Sequence, residues 1–259
     1  MIHLKSAAEI EIIGRAGTIA AEVLAHVRGR VTPGTTTEEL DVLAEGLIRQ
    51  RGAAPAFKGL YGFPATLCTS VNGEVVHGIP SATRKLQAGD IVSVDVGVEL
   101  EGYFADSAVT VPVGEVDPET ERLLDVTQRA LQAGIDRARV GERLGDIGAA
   151  VQRLVEEAGF SVIRELVGHG VGTAPHEEPQ VPNYGTAGHG LRLREGLVIA
   201  IEPMVNAGKR HIRTLDDGWT VVTADGSLSA HFEHTVAVTA DGPQVLTRLP
   251  VKAGAGRGE

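Results

Sequence analysis

Apolar residues recur at helical spacing early in the chain. Ser6 followed by Glu9 forms a capping box, and Ile10, Ile13, Ala20, Leu24 and Val27 hold roughly one face of the helix that follows. A second helix is expected from Thr36 and Glu39, with Leu40, Leu43 and Leu47 turned inward and a stop at Gly52, where a left-handed residue costs least. Asp117-Pro118 supplies the cap and first-turn proline of a third helix, and a fourth runs to Gly159. Between the helical pairs the period changes to two. In IVSVDVGV (91–98) four valines share one face, and Ser93, Asp95 and Gly97 share the other. The chain turns near Glu101-Gly102 and returns through FADSAVTV (104–111), which sets Asp95 and Asp106 on neighbouring strands. The stretch GHGVGTAPHEEPQV (168–181) is too rich in Gly and Pro for a helix and reads as a loop or irregular strand carrying His169 and His176.

These elements repeat at an offset of 107 residues. The shift carries Gly34 onto Gly141, Leu40 onto Ile147, Leu47 onto Leu154 and Gly52 onto Gly159. It also carries LQAGDIVSVD (86–95) onto LREGLVIAIE (193–202), so that Asp95 lands on Glu202. One constant offset joining helix ends, a strand and its terminal acid implies a duplicated α+β half-domain, with corresponding acids facing a shared cleft.

Composition narrows the function. The chain has 259 residues, with Lys+Arg 24 against Asp+Glu 34 and a formal net charge of −10, which disfavours a dedicated nucleic-acid binder. A single cysteine, Cys68, excludes an internal disulfide, no stretch is apolar enough to span a membrane, and no signal peptide opens the chain. A cytoplasmic protein is expected.

The acids carry the chemistry. Asp95, Asp106, Glu202 in LVIAIEP and Glu233 in SAHFEHTVAV all sit in or beside apolar strands. Two like charges about 4 Å apart at an effective dielectric near 20 repel by roughly 4 kcal/mol, so a fold that gathers such groups needs cations or protons to balance them. Four carboxylates and one imidazole make a hard, oxygen-rich set that neutralises two divalent ions. His169 is expected to be the sole nitrogen ligand, while His176 and His77 (in NGEVVHGIP) stay off the metal and touch substrate. Paired ions of this kind activate water and polarise a carbonyl, which is hydrolytic chemistry.

With these residues assembled, the chain closely resembles the type I methionine aminopeptidases. The match runs through SAAEIEIIGRAG, VVHGIP, VDVG…FADSA, GHGVGTAPHEEPQV, IEPMVN and DGWTVVTADGSLSAHFEHT. The resemblance implies the pita-bread α+β fold: two pseudo-twofold half-domains, a central antiparallel sheet and helices outside. It implies a single catalytic domain over residues 1–250, with half-repeats of about 1–115 and 116–250, followed by a flexible tail at 251–259. It further implies two divalent ions (Co, Mn, Fe or Zn) held by Asp95, Asp106, His169, Glu202 and Glu233, and removal of the initiator methionine from nascent polypeptides whose second residue is small. Glu202 would shuttle the proton, His176 would stabilise the oxyanion and His77 would position the scissile amide. Phe63, Cys68 and Trp219 would line an apolar pocket for the thioether. Cys68 has no reactive-thiol context and is not read as a nucleophile. Glu177 and Glu178 are read as solvated or supporting groups, because more acids would overcharge the site.

Three positions depart from the best-known bacterial pattern: Pro175 where an aromatic is usual, Gly97 where threonine is common, and His231 in place of glutamine. They are expected to alter the methionine pocket more than the metal site. Two rivals remain: an X-Pro peptidase of the prolidase kind, which usually carries an N-terminal domain for which no room is expected here, and a metal-free binding protein on the same scaffold. A monomer is expected. The basic segment KRHIR (209–213) allows a transient ribosome contact, although a solvated loop is the favoured reading.

Overall fold

Each helix begins where its cap stands in the sequence. In the computed structural model, which describes residues 2–250, α1 spans Ala7–Arg28 behind the Ser6–Glu9 capping box, and α2 spans Thr37–Gln50 behind the Thr36–Glu39 box. Asp117 caps α3, Pro118–Ile135, and α4 covers Leu144–Glu157, two residues short of Gly159. The buried stripe of α2 differs from the leucine pattern. Leu40, Ala44 and Ile48 are fully enclosed, whereas Leu43 and Leu47 lie at the edge of the same core.

The hairpin forms as its alternation requires. Strand Ile91–Leu100 pairs antiparallel with Tyr103–Pro112 and, on its other edge, with Ala54–Pro55 and Leu67–Val71. Val92, Val94, Val96 and Val98 pack under α1 and α2 with no exposed surface. The second half builds a five-stranded antiparallel sheet in the order Gly242–Val245, His234–Thr239, Val198–Ile201, Gly168–Gly170, Glu177–Val181. The expected irregular segment at 168–181 is thus two short strands around a turn.

The repeat is visible in the backbone. Gly34 and Gly141 both adopt φ 93°, Gly89 and Gly196 adopt 91° and 85°, and the isolated bridges Thr36 to Lys85 and Arg143 to Arg192 obey the same offset. The Gly34 N–H donates to Leu86 O at 2.8 Å, and its counterpart Gly141 donates to Leu193 O at 3.0 Å. Helices lie outside and the two sheets meet at the centre. Their meeting edge is stitched by hydroxyls: Thr235 Oγ1 accepts the Asp106 N–H (2.9 Å) and donates to its carbonyl (2.8 Å), and Thr110 does the same with the backbone of His231. Ser107 Oγ donates to Glu233 O at 2.9 Å, and the Glu233 N–H donates to Ala108 O at 2.9 Å. This seam puts the acids of the two halves side by side. The tail expected at 251–259 lies outside the described residues.

Candidate active site

The seam and the end of strand Val198–Ile201 deliver five side chains to one place. Asp95 stands opposite Ala108 and Asp106 opposite Gly97, so the two aspartates are diagonal neighbours on adjacent strands, as alternation requires. Ligand atoms of Asp95, Asp106 and Glu233 lie within 4.8 Å of one another, and so do those of His169, Glu202 and Glu233. His169 Nε2 is 3.3 Å from Glu202 Oε1 and 4.0 Å from Asp106 Oδ2.

His169 needs glycines on both sides. A Cβ at Gly168 would come within 2.3 Å of Ala200 O, and one at Gly170 within 2.3 Å of Glu178 O, because this short strand is squeezed between two neighbours. The His169 Nδ1 lies 3.0 Å from Gly170 O, an acceptor only, so the ring proton belongs there and Nε2 presents its lone pair to the acids.

Without cations the acids are poorly accommodated. Oδ1 of Asp95, Oδ1 of Asp106 and Oε1 of Glu233 are buried without any hydrogen-bond partner. Burial, partly offset by His231 and reinforced by the Glu202 charge, pushes Asp95 up to about 6. Asp106 and Glu233 are pushed well above the ordinary carboxylate range by burial first, and then by the charges of Asp95 and Glu202 on Asp106 and of Asp106, Glu202 and Asp95 on Glu233. Glu202 alone goes the other way. Burial raises it, but His231, His169 and His176 outweigh that, and its carboxyl falls below the usual range. Orphaned buried oxygens on hard donors, gathered within bonding distance of a common point, fit divalent ions.

Above the acids opens a cavity of about 320 Å³, walled by Phe57, Leu60, Phe63, Cys68, Met204 and Trp219. Phe63 and Trp219 meet edge to face at 5.1 Å between ring centroids, and Cys68 is buried with its thiol pushed well above normal by desolvation and then by the acids, which leaves it unreactive. His77 and His176 also line the cavity. His77 holds the left-handed φ of 60°, a strained conformation for this residue and one often found at functional positions. Burial lowers its pKa. His176 stands at the exposed mouth with its ring turned in toward His169, 4.4 Å away between centroids. Desolvation of the ring, then the neighbouring imidazole, lowers it to about 4, which keeps it neutral near pH 7. A ring nitrogen of His176 also lies within 4.8 Å of ligand atoms of Asp106 and His169, so geometry alone admits it as a ligand.

The departures from the family pattern fall into place differently from expectation. Gly97 does shape the pocket: a Cβ there would meet Phe57 Cε1 at 2.5 Å, so its absence lets Phe57 seat against the strand. Pro175 does not line the cavity. His231 belongs with the acids, its Nε2 3.6 Å from Glu202 Oε2 and both ring nitrogens buried without hydrogen-bond partners. Its place two residues before Glu233 was the one signal in the sequence, although the strand ends at His231 and the next begins at His234 in another sheet. Of the two readings of Glu177, solvated or supporting, the second holds, because its carboxylate pairs with the buried Lys5.

Residues 11–240 match metallopeptidase family M24. Among known proteins, the methionine aminopeptidase of Clostridium perfringens is 52% identical over 249 residues, covering 96% of this chain and 100% of that protein. Methionine aminopeptidase 1 of Bacillus subtilis is 50% identical with the same coverage. A crystal structure of a methionine aminopeptidase from Thermotoga maritima superposes with a TM-score of 0.95 at 46% identity, covering 96% of this chain and 100% of that one.

Proposed function

This chain belongs to metallopeptidase family M24, and on that footing we propose that it is a methionine aminopeptidase, which removes the initiator methionine from nascent polypeptides whose second residue is small. One observation carries the reading: four carboxylates, three of them with orphaned oxygens, converge at the base of a cavity of about 320 Å³ with apolar walls. Asp95, Asp106, His169, Glu202 and Glu233 would hold two divalent ions, and Mn, Fe, Co and Zn all accept such donors. When bound, the ions supply Lewis acidity toward the scissile carbonyl and make water nucleophilic near neutral pH.

The chain's own groups do the rest. Phe63, Cys68 and Trp219 receive the methionine side chain and exclude water from it. His77 donates or accepts at the scissile amide and holds it in plane. Neutral His176 keeps one ring N–H, which it donates to the carbonyl oxygen as negative charge develops there. Glu202, set between His169 and His231, takes the proton from the attacking water and passes it to the leaving amine.

The unit that works is residues 1–250, built of half-repeats 1–115 and 116–250, acting as a monomer in the cytoplasm. No helix among the described residues is long and apolar enough to cross a membrane. Lys209, Arg210 and Arg213 are read as a solvated surface rather than a ribosome contact. Anaerobic purification with metal analysis, followed by a Met-Xaa-Ser panel against Ala-Pro peptides, tests the whole. Cleavage confined to methionine before small residues is expected. Faster cleavage of Ala-Pro would move the protein to the X-Pro peptidases, and absence of both metal and activity would make it a binding protein.

A further inference from the structure

Lys5 is a cation taken out of water. Its side chain is 1% exposed, and its ammonium rests on the Glu177 carboxylate, 14% exposed and far away in sequence. A buried charge is tolerated only with a close partner and satisfied hydrogen bonds. Glu177 has both. Its Oε1 accepts the Thr173 N–H at 2.7 Å, the Thr173 hydroxyl at 3.1 Å and the Ala174 N–H at 3.2 Å, so the carboxylate closes the turn that presents His176. Burial pushes Glu177 up, but Lys5 and these N–H groups outweigh it and hold the carboxyl below the usual range.

Lys5 also ties that turn to the rest of the site. Its ammonium donates to His3 O at 3.1 Å, and its backbone N–H donates to Gly196 O at 2.7 Å, on the run into the strand that ends at Glu202. A Cβ at Gly172 would lie 2.3 Å from Lys5 Cε and 2.7 Å from Glu177 Oε1, so a larger residue there would displace the pair. The Gly172 carbonyl in turn accepts the Phe104 N–H at 2.8 Å, at the start of the strand bearing Asp106. The His176 ring has no protein hydrogen bond of its own among the described residues; its place is set by the backbone beneath it and by His169.

We propose that Lys5 and Glu177 form a positioning pair that holds the 173–176 turn so that the His176 ring stays over the reacting carbonyl. The inference rests on the reading of His176 as oxyanion donor. Lys5→Met keeps the length of the side chain and removes the charge. With the turn loosened, kcat is expected to fall about tenfold, with KM and metal content retained. In hydrogen exchange the Thr173 and Ala174 amides lose protection. Because the pair acts through His176, adding Lys5→Met to His176→Ala, itself expected to lose roughly 10² in turnover, changes kcat by less than twofold. A further tenfold loss in that background, or unchanged amide protection, overturns the proposal. Should Lys5→Met not fold, Lys5→Gln replaces it, since its amide can still donate toward His3 O while the charge facing Glu177 is gone, and the same outcomes are read. If His176→Ala turns over at the normal rate, the oxyanion reading fails by itself, and the pair stands or falls on the exchange of those two amides.

Discussion

Chelation of the divalent ions would leave four carboxylates facing one another in one cavity, and the penalty follows from their surroundings. Asp95 is held at about 6, and Asp106 and Glu233 are raised well above the usual range by burial and then by neighbouring carboxylates. A carboxyl raised in this way binds its proton more tightly in the folded than in the unfolded chain. The chelated protein therefore loses stability as pH rises from the ordinary carboxylate range through about 6. Metal binding must expel the same proton, so stabilisation by metal grows over that window. At pH 5, one unit below the Asp95 value, the expulsion costs about 1.4 kcal/mol, and at pH 7.5 it costs almost nothing. Asp106 and Glu233 add in the same direction. For a chain of this size ~1.4 kcal/mol corresponds to roughly 3 to 6 °C in Tm. At constant free metal, the gap between loaded and chelated melting temperatures should thus widen by at least ~3 °C from pH 5 to pH 7.5. His234, depressed by burial and then by Arg248, is shifted by none of these acids and cancels in the difference. Calorimetric scans at the two pH values, with and without chelator, measure it. Equal gaps, or a chelated protein that melts with the loaded one, would refute the idea that these acids depend on cations.

Two substitutions probe the departures from the family pattern. Gly97→Thr drives a Cβ into Phe57 and Ala56, at 2.5 and 2.9 Å, and should cost about 1–3 kcal/mol in stability while raising KM for methionyl peptides; an unchanged KM would show that Phe57 does not border the substrate. His231→Leu removes the ring facing Glu202 and should lower kcat about fivefold, the worth of one modest polar contact of ~1 kcal/mol, with metal content kept; full activity would make His231 a bystander.

Much of this site was legible before any coordinates. Asp95 and Asp106 declared themselves by alternation, and the offset of 107 tied Asp95 to Glu202. His169 was marked by glycines whose necessity turned out to be steric, since neighbouring strands leave no room for a side chain on either flank. Phe57, Leu60 and Met204 were not picked out as pocket walls, because an apolar residue in a loop or strand looks the same whether it faces a core or a cavity. The contact of His231 with Glu202 is not legible in the sequence, and neither is the choice between a solvated and a supporting Glu177, each for want of a partner visible nearby in the chain.

The amino-acid order alone determined what local interactions control: where helices start and stop, which strand positions share a face, and that too many acids lie among valines and isoleucines to remain uncompensated. Caps, turns and alternation reach only three or four residues, so they can be read along the chain. Tertiary structure alone decided which strand edges meet. That one seam, from 106–110 to 231–235, put Glu233 beside Asp106, and the packing around it set His231 against Glu202 and brought Lys5 beneath the turn of His176. Those contacts depend on distances through space between segments from 29 to 172 residues apart, for which no spacing in the sequence is a measure.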